Sequence, residues 1–329
     1  MKVSVVIPLY NKARHIARAV QSVRGQTWQD FEIIVVDDGS TDGSGDVVRQ
    51  IADARFRLIT QLNGGECAAR NRGIAEAACD VVAFLDADDE WLPAFLETVV
   101  ALRQRFPDCG MYATAYSLCR DGAVLRPEFP GCPTAPAGGV LDDYFKCAVA
   151  TPPVTSSSVM ITKQALLAVG GFPVGVRRGG DLATWARIAL CNRIAWSPVA
   201  GAIYHLSADN RACDIHPAHH DVPGAAEIER FLESGNPTVS SANSIKEYLA
   251  FMRLAIVRHY CLAGQRGPAL DLLAKTDGTV LHAGRRRMLS LMLRLSPALL
   301  KAAVNSKASA RGVLNSLLAR RRQRQAVPV

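Results

Sequence analysis

Apolar positions dominate "VSVVIPLYN" (3–11), then "FEIIVVD" (31–37), and fill "VVAFL" (81–85). Near-continuous runs of this kind, rich in Val and Ile, predict strands covered on both faces. Pro8 is expected to end the first of them. Between the strands the spacing changes. In "ARHIARAVQSVRGQ" (13–26), Ile16, Ala19, Val20 and Val23 fall on one helical face, and Gly25 follows as a C-cap. "DVVRQIA" (46–52) begins a second helix, and "RFRLIT" (55–60) is a short strand. "ECAARNRGIAEAA" (66–78) is a helix entered from Asn63-Gly64-Gly65. Strand and helix alternate at βαβ intervals, which predicts a mainly parallel, doubly wound sheet.

Beyond about residue 110 the pattern loosens. Residues 120–157, rich in Pro, Gly and Thr, read as extended loops. "SSSVMITKQALLAVGGF" (156–172) predicts a strand, a helix and a Gly-Gly stop. "RRGGDLATWARIAL" (177–190) leads from a Gly-rich turn into a helix with Asp181 near its start, and a strand is expected before His205. From 244 onward Ile245, Tyr248, Leu249, Met252 and Ile256 keep a 3.6-residue spacing, which predicts a helical C-terminal extension. No internal repeats occur.

The 329 residues are 49% hydrophobic, enough for a sizeable core. Nine cysteines without a C-x-x-C fit reduced thiols and a cytoplasmic protein. "MKVSVVIPLY" lacks the long apolar core expected of a secretory leader, and no run of 18 apolar residues predicts a membrane span. Net charge is +8, yet residues 285–329 hold eleven Lys or Arg and no Asp or Glu. The preceding body then carries 27 basic against 30 acidic residues, about −3. The basic character belongs to the tail.

Two acidic clusters stand out, Asp37-Asp38 and the Asp86, Asp88, Asp89 group in "FLDADDEW". Carboxylates this close repel unless a cation or a donor neutralises them. Asp also suits turns and caps, and Asp37 is expected to be mostly structural. Both clusters follow predicted strands, as does Pro8-Leu9-Tyr10. In open α/β sheets ligands bind beyond the carboxyl ends of the strands, so all three should line one crevice.

These residues resemble the family-2 glycosyltransferases with the GT-A fold. The matching pieces are "VSVVIPLYN", "FEIIVVDDGSTD", "GECAARNRGIAEA", "VVAFLDADDEWLP" and "GGDLATW", in family order across about residues 3–210. The resemblance implies an α/β, Rossmann-like, mainly parallel sheet flanked by helices. It divides the chain into a nucleotide-sugar half (1–110) and an acceptor half (111–235), ahead of the helical basic extension read from spacing and charge (236–329). It further implies transfer of a sugar from a nucleotide diphosphate, UDP- or dTDP-linked, to a hydroxyl acceptor with inversion. A glycan or lipid-linked acceptor in bacterial polysaccharide or lipopolysaccharide assembly is the setting it suggests.

By the same resemblance Pro8 and Tyr10 flank the nucleobase, and Asp38 accepts a hydrogen bond from a pyrimidine imide N–H. Arg70, on the helix after Asn63-Gly64-Gly65, is placed to reach the nucleotide. The diphosphate leaving group gains charge as the glycosidic bond breaks, and Mn2+ or Mg2+ held by hard oxygen ligands stabilises it. Asp88 is expected to contact that metal, Asp86 the ribose or a metal-bound water. Asp89 is expected to cap a helix beginning near Trp91-Leu92-Pro93. Inversion in one displacement needs one carboxylate to take the acceptor proton, and Asp181 is the candidate. The family usually shows Glu-Asp where this chain has Gly180-Asp181, which puts the acceptor-side partner in question rather than the base. His205 is a candidate to complete the metal site or touch the diphosphate. Cys213, His216, His219 and His220 lie close together without the spacing of a zinc finger, and read better as a polar acceptor-side loop.

Two rivals of the same fold class fail on one stretch. A dinucleotide-dependent dehydrogenase needs G-x-G-x-x-G where this chain has Pro8-Leu9-Tyr10-Asn11, and a pyrophosphorylase wants a Gly-rich basic loop there. A catalytically inactive binding or scaffold protein is the alternative outside enzymes. In the tail, basic residues flank apolar clusters around Met288–Leu295 and Val313–Leu318. That pattern suits an interfacial helix on an anionic membrane surface through 285–329, or else leucines packed within the protein. Nucleic acid is not an expected partner, because the apolar clusters have no role there.

Overall fold

A computed structural model describes residues 1–209, 220–235 and 239–294. The N-terminal part alternates β1 (Val3–Leu9), α1 (Ile16–Arg24), β2 (Phe31–Asp37), α2 (Ser44–Arg49), β3 (Phe56–Thr60), α3 (Glu66–Glu76) and β4 (Val81–Phe84). Then come β5 (Glu90–Trp91), α4 (Phe95–Arg105), β6 (Cys109–Arg120), β7 (Ala123–Leu125), β8 (Gly139–Val140), α5 (Tyr144–Cys147), β9 (Val159–Thr162) and α6 (Lys163–Ala168). α7 (Gly180–Cys191) leads into β10 (Arg193–His205), followed by α8 (Ala225–Glu233), α9 (Ala242–Leu262), α10 (Arg266–Ala274) and α11 (Ala283–Met292).

The strands form one sheet in the order β3-β2-β1-β4-β9-β6-β10-β5, with β7 added to β6 and β8 to β10. β3, β2, β1 and β4 run parallel, β9 runs antiparallel to both its neighbours, and β6 and β10 are parallel to each other. β1 and β2 are buried along their whole length, which explains their mostly apolar sequence, and the buried Ser4 Oγ donates to Glu32 Oε1 at 2.6 Å between them. Alternate residues of β1 serve opposite faces. Val3, Val5, Ile7 and Leu9 join Ile16, Ala19, Val20 and Val23 of α1 and Phe95 and Val99 of α4 in one core. On the other face Val6 meets α3 at Gly73, where an added Cβ would stand 2.3 Å from a Val6 methyl. Only glycine lets α3 lie that close.

Two expectations change. Pro8 does not end β1, which continues in register with β2 through Pro8 opposite Val36 and Leu9 opposite Asp37. Leu9 O accepts from Asp38 N on the β2 side, and Val6 O accepts from Leu85 N on the β4 side. By alternation the Pro8 nitrogen faces β4, beyond Val6 where that pairing stops, so the missing donor breaks no ladder. The second change is β6, twelve residues long and central in the sheet, within the region whose pattern loosens. Its buried Thr114 and Ser117 and its small alanines dilute the apolar signal.

By contacts the chain divides into two units, Met1–Tyr248 and one that begins at Leu249, so the boundary falls inside α9. The first turns of α9 belong to the first unit. Asp143, which caps α5, also accepts from Ser241 N and Ser244 Oγ, and the Tyr248 ring lies 5.3 Å from Phe145. In the second unit Leu254, Val257, Tyr260, Ala269, Leu272, Leu289 and Leu293 form a core of their own. Among the described residues no helix is long and apolar enough to cross a membrane.

Candidate active site

The carboxyl ends of β1, β2 and β4 carry the residues singled out in the sequence. Past β1, Tyr10 is half exposed and Asn11 adopts a left-handed φ of 52°. That turn is stitched to the loop after β2. Asn11 N donates to Ser40 Oγ (3.0 Å), Thr41 N to Asn11 Oδ1 (2.8 Å), Lys12 N to Ser44 Oγ (2.8 Å) and Ala13 N to Asp42 Oδ2 (2.9 Å). Asp37 is structural, as expected, accepting from Ser40 N at 2.9 Å.

Asp38 is buried and already heavily engaged. Oδ1 accepts from Gln61 Nε2 (2.7 Å) and Gly64 N (3.0 Å), and Oδ2 accepts from Gly65 N (2.7 Å). An ionised carboxylate offers about four acceptor sites, so one remains on Oδ2. The carboxylate thus ties the entry of α3 to the end of β2.

Arg70, only 1% exposed, is the electrostatic centre of the site. Its guanidinium pairs with Glu66 one turn earlier and with Asp86 Oδ1 at 2.7 Å, and stands 5.2 Å from the Phe172 ring centroid. Burial works against its charge, but Glu66, Asp86 and Asp181 overcome that and raise its pKa above the ordinary value. Asp86 responds in the other direction. Burial pushes its carboxyl up to about 6; Arg70 opposes the rise, while Glu66 and Asp88 add to it. Asp181, in the first turn of α7, is also raised by burial and held back by Arg70. The fold therefore brings Arg70, Asp86 and Asp181 into one electrostatic group from α3, β4 and α7.

Asn71 ties α3 to the chain before α7, with Nδ2 donating to Phe172 O and Oδ1 accepting from Phe172 N, both at 2.8 Å. Gly180 explains the departure from Glu-Asp. A Cβ there would stand 2.4 Å from Cys67 Sγ, so α3 occupies the space a larger residue needs. Tyr144 and Tyr248 lie within electrostatic reach of Asp181, and the buried Tyr144 hydroxyl has no hydrogen-bond partner among the described residues.

The turn after β4 splits its carboxylates. Asp88 Oδ2 meets Lys12 Nζ at 2.7 Å, and the Asp88 carbonyl accepts from Arg18. Asp89 does not cap a helix. α4 begins later, behind Ala94, with no side-chain cap, and Asp89 is fully buried instead. It accepts from Ser157 Oγ (2.5 Å) and from the His205 backbone N (2.9 Å), joining β4, β9 and β10. The His205 ring turns its Nε2 onto Glu90 Oε1 at 2.9 Å, beside the same turn.

Among the described residues no group of three or more His, Cys, Asp or Glu is arranged to hold a metal. The donor chemistry nevertheless fits a divalent ion, because Mg2+-type sites take one or two carboxylates and fill the rest with water and substrate phosphate. Asp88 supplies such an oxygen in the crevice. Cys213, His216 and His219 lie outside the described residues, as does the tail from 295 onward. Lys12, Glu66 and Tyr144 were not singled out in the sequence, and Tyr248 only for its helical spacing. Glu66 was readable as the i−4 partner of Arg70; the tyrosines come from distant segments and left no local signal of a place in the site.

Sheet order, crossover helices and a carboxylate-rich crevice at the strand ends define a GT-A fold. Comparison with known proteins agrees. The family model for glycosyl transferase family 2 matches residues 4–121. The putative teichuronic acid biosynthesis glycosyltransferase TuaG of Bacillus subtilis is 34% identical over 188 residues, 56% of this chain and 70% of that protein. The chain belongs to glycosyl transferase family 2. It spans about a third of the length of several other curated relatives it matches, 33%, 30% and 27%. Among solved structures, S. aureus TarS 1–349 in complex with UDP-GlcNAc superposes with a TM-score of 0.69 at 16% identity, covering 93% of this chain and 92% of that one. The mannosyltransferase PcManGT of Pyrobaculum calidifontis, in complex with GDP-Man and Mn2+, gives 0.52 at 21% identity, covering 93% and 86%. At these identities the likeness establishes the fold.

Proposed function

We propose that this protein is an inverting glycosyltransferase that moves a sugar from a UDP- or dTDP-linked donor to a hydroxyl acceptor. The observation that carries the reading is the convergence of Arg70, Asp86 and Asp181 at one crevice, each with its ionisation shifted by the others and by burial. Such mutually perturbed groups mark sites that handle protons and charged substrates. An inactive scaffold of the same fold has no need of a buried arginine facing three carboxylates.

In this reading Pro8 and Tyr10 flank the nucleobase, and the open lone pair of Asp38 takes the imide N–H. Arg70 holds Asp86 towards the ribose. Asp181 takes the acceptor proton, and its raised pKa makes it a stronger base than an exposed aspartate. Asp88 would hold Mn2+ or Mg2+, with His205 as the further candidate ligand although its ring now meets Glu90, and that ion would supply Lewis-acid neutralisation of the leaving diphosphate. UDP-GlcNAc in TarS and GDP-Man with Mn2+ in PcManGT support donor and metal by analogy of fold. The likeness to TuaG, named for teichuronic acid biosynthesis, supports a polysaccharide as product.

Asp181→Asn tests the base. Turnover should fall by roughly 10²–10⁴-fold, as for a lost general base, with donor affinity near normal. Isothermal titration with the nucleotide sugar, beside a transfer assay, separates the two; joint collapse of binding and turnover would remove Asp181 from the base role.

A second reading concerns location, a peripheral association with the cytoplasmic face of a membrane. The expected apolar cluster divides in the structure. Leu289 and Leu293 are buried in the second unit's own core, whereas Met288 and Leu291 are exposed on the same segment as Arg285, Arg286 and Arg287. Exposed apolar side chains beside basic ones suit an anionic lipid surface that presents a lipid-linked acceptor.

A further inference from the structure

Lys12 is the cation that meets Asp88, and nothing in the expected donor or acceptor chemistry calls for it there. Its Nζ stands 2.7 Å from Asp88 Oδ2, with the two side chains 11% and 16% exposed, and it also donates to the Asp209 carbonyl. The surroundings of this pair are fixed. Lys12 N is bonded to Ser44 Oγ, and the residues on either side of it are tied to Ser40, Thr41 and Asp42. The Asp88 carbonyl is held by Arg18. Only the lysine stem is free to swing, a compact charge on four methylenes.

We propose that Lys12 is the resident counter-cation of Asp88, and that it releases this carboxylate to bind the diphosphate when donor enters. The proposal rests on the reading that Asp88 holds a divalent ion. An ammonium and a divalent cation on one carboxylate repel each other, so in the empty site Lys12 competes with metal. Diphosphate oxygens offer Nζ a better-charged acceptor within the same crevice. Once Nζ moves to them, Asp88 is left with an open, ionised carboxylate. Metal and nucleotide then bind cooperatively through Lys12, and by linkage each raises the other's affinity by the same factor. Without the nucleotide the lysine keeps stray cations out and prevents an unpaired carboxylate at a half-buried position.

The test is Mn2+ binding to the full-length protein, with free Mn2+ read from its EPR signal, in the absence and presence of UDP. Wild type, Lys12→Met, Lys12→Gln and Asp88→Asn are compared. Both lysine variants keep the backbone bond to Ser44, so either one serves if the other fails to fold. Without nucleotide, the lysine variants should bind Mn2+ about tenfold more tightly than wild type, within the usual range of site-to-site coupling. UDP should tighten Mn2+ in wild type by about tenfold more than in the variants. Lysine variants that bind Mn2+ no more tightly than wild type without nucleotide would overturn the proposal. Asp88→Asn separates this from the underlying reading: if it binds Mn2+ as wild type does with UDP present, Asp88 is not the metal residue and the reading of the site fails first.

Discussion

Replacing Arg70 with Met removes the one buried cation that holds Glu66, Asp86 and Asp181 together while keeping most of the side-chain volume. Breaking a buried ion pair from one side costs about 3–5 kcal/mol, because the partner is left charged and uncompensated. Here the partner can escape by taking a proton, so the loss depends on pH. In the wild type the Asp86 carboxyl lies near 6, above the unfolded value of 3.8. The folded state therefore binds the extra proton between those values, and stability falls as pH rises through that window. Above pH 6 the group is charged and the decline stops. Without Arg70 the folded pKa moves higher still, so the decline continues past 6. Each further unit costs about 1.4 kcal/mol, giving up to about 2.7 kcal/mol of additional loss between pH 6 and 8. Urea denaturation of wild type and Arg70→Met at pH 5 and pH 8 reads the difference directly. The mutant should lose more at pH 8 than at pH 5 by about 1.4–2.7 kcal/mol. An equal loss at both would mean that Asp86 is not ionised against Arg70, and the electrostatic account of the site would be wrong.

Asp38→Ala should weaken UDP binding by about 1.5–3 kcal/mol, the scale of a charge-assisted hydrogen bond, and should also lower the melting temperature by freeing Gly64 N and Gly65 N; unchanged UDP affinity by calorimetry would confine Asp38 to tying the loop. The full-length protein should sediment with anionic liposomes at low salt, at roughly 1 kcal/mol for each Lys or Arg near the surface, and high salt should release it. Replacing the exposed Met288 and Leu291 with Ser should weaken the effect while sparing the buried Leu289 and Leu293, and a protein that stays in solution beside such liposomes at low salt would leave Met288 and Leu291 without a lipid role.

The strands and helices of the first hundred residues were legible because their pattern is local. Val3 to Leu9 and Phe31 to Asp37 are covered on both faces, so most of their positions are apolar, and the buried Ser4 and Glu32 are accommodated by bonding each other. The acidic turns after β2 and β4 mark the same sheet edge in the sequence, because both follow apolar strands. β6 was not legible, because a central strand can be filled by Ala, Thr and Ser when its neighbours supply the bulk. The charge of each carboxylate was beyond the sequence as well. Asp86, Asp88 and Asp89 lie within four positions, yet one faces Arg70, one Lys12, and one is sealed against Ser157 and the His205 backbone. Those partners come from α3, the loop after β1, β10 and the segment before β9, brought together only when the sheet closes. Identity and spacing of the acids are properties of the chain, but ionisation depends on burial and on charges distant in sequence, which the tertiary fold alone supplies.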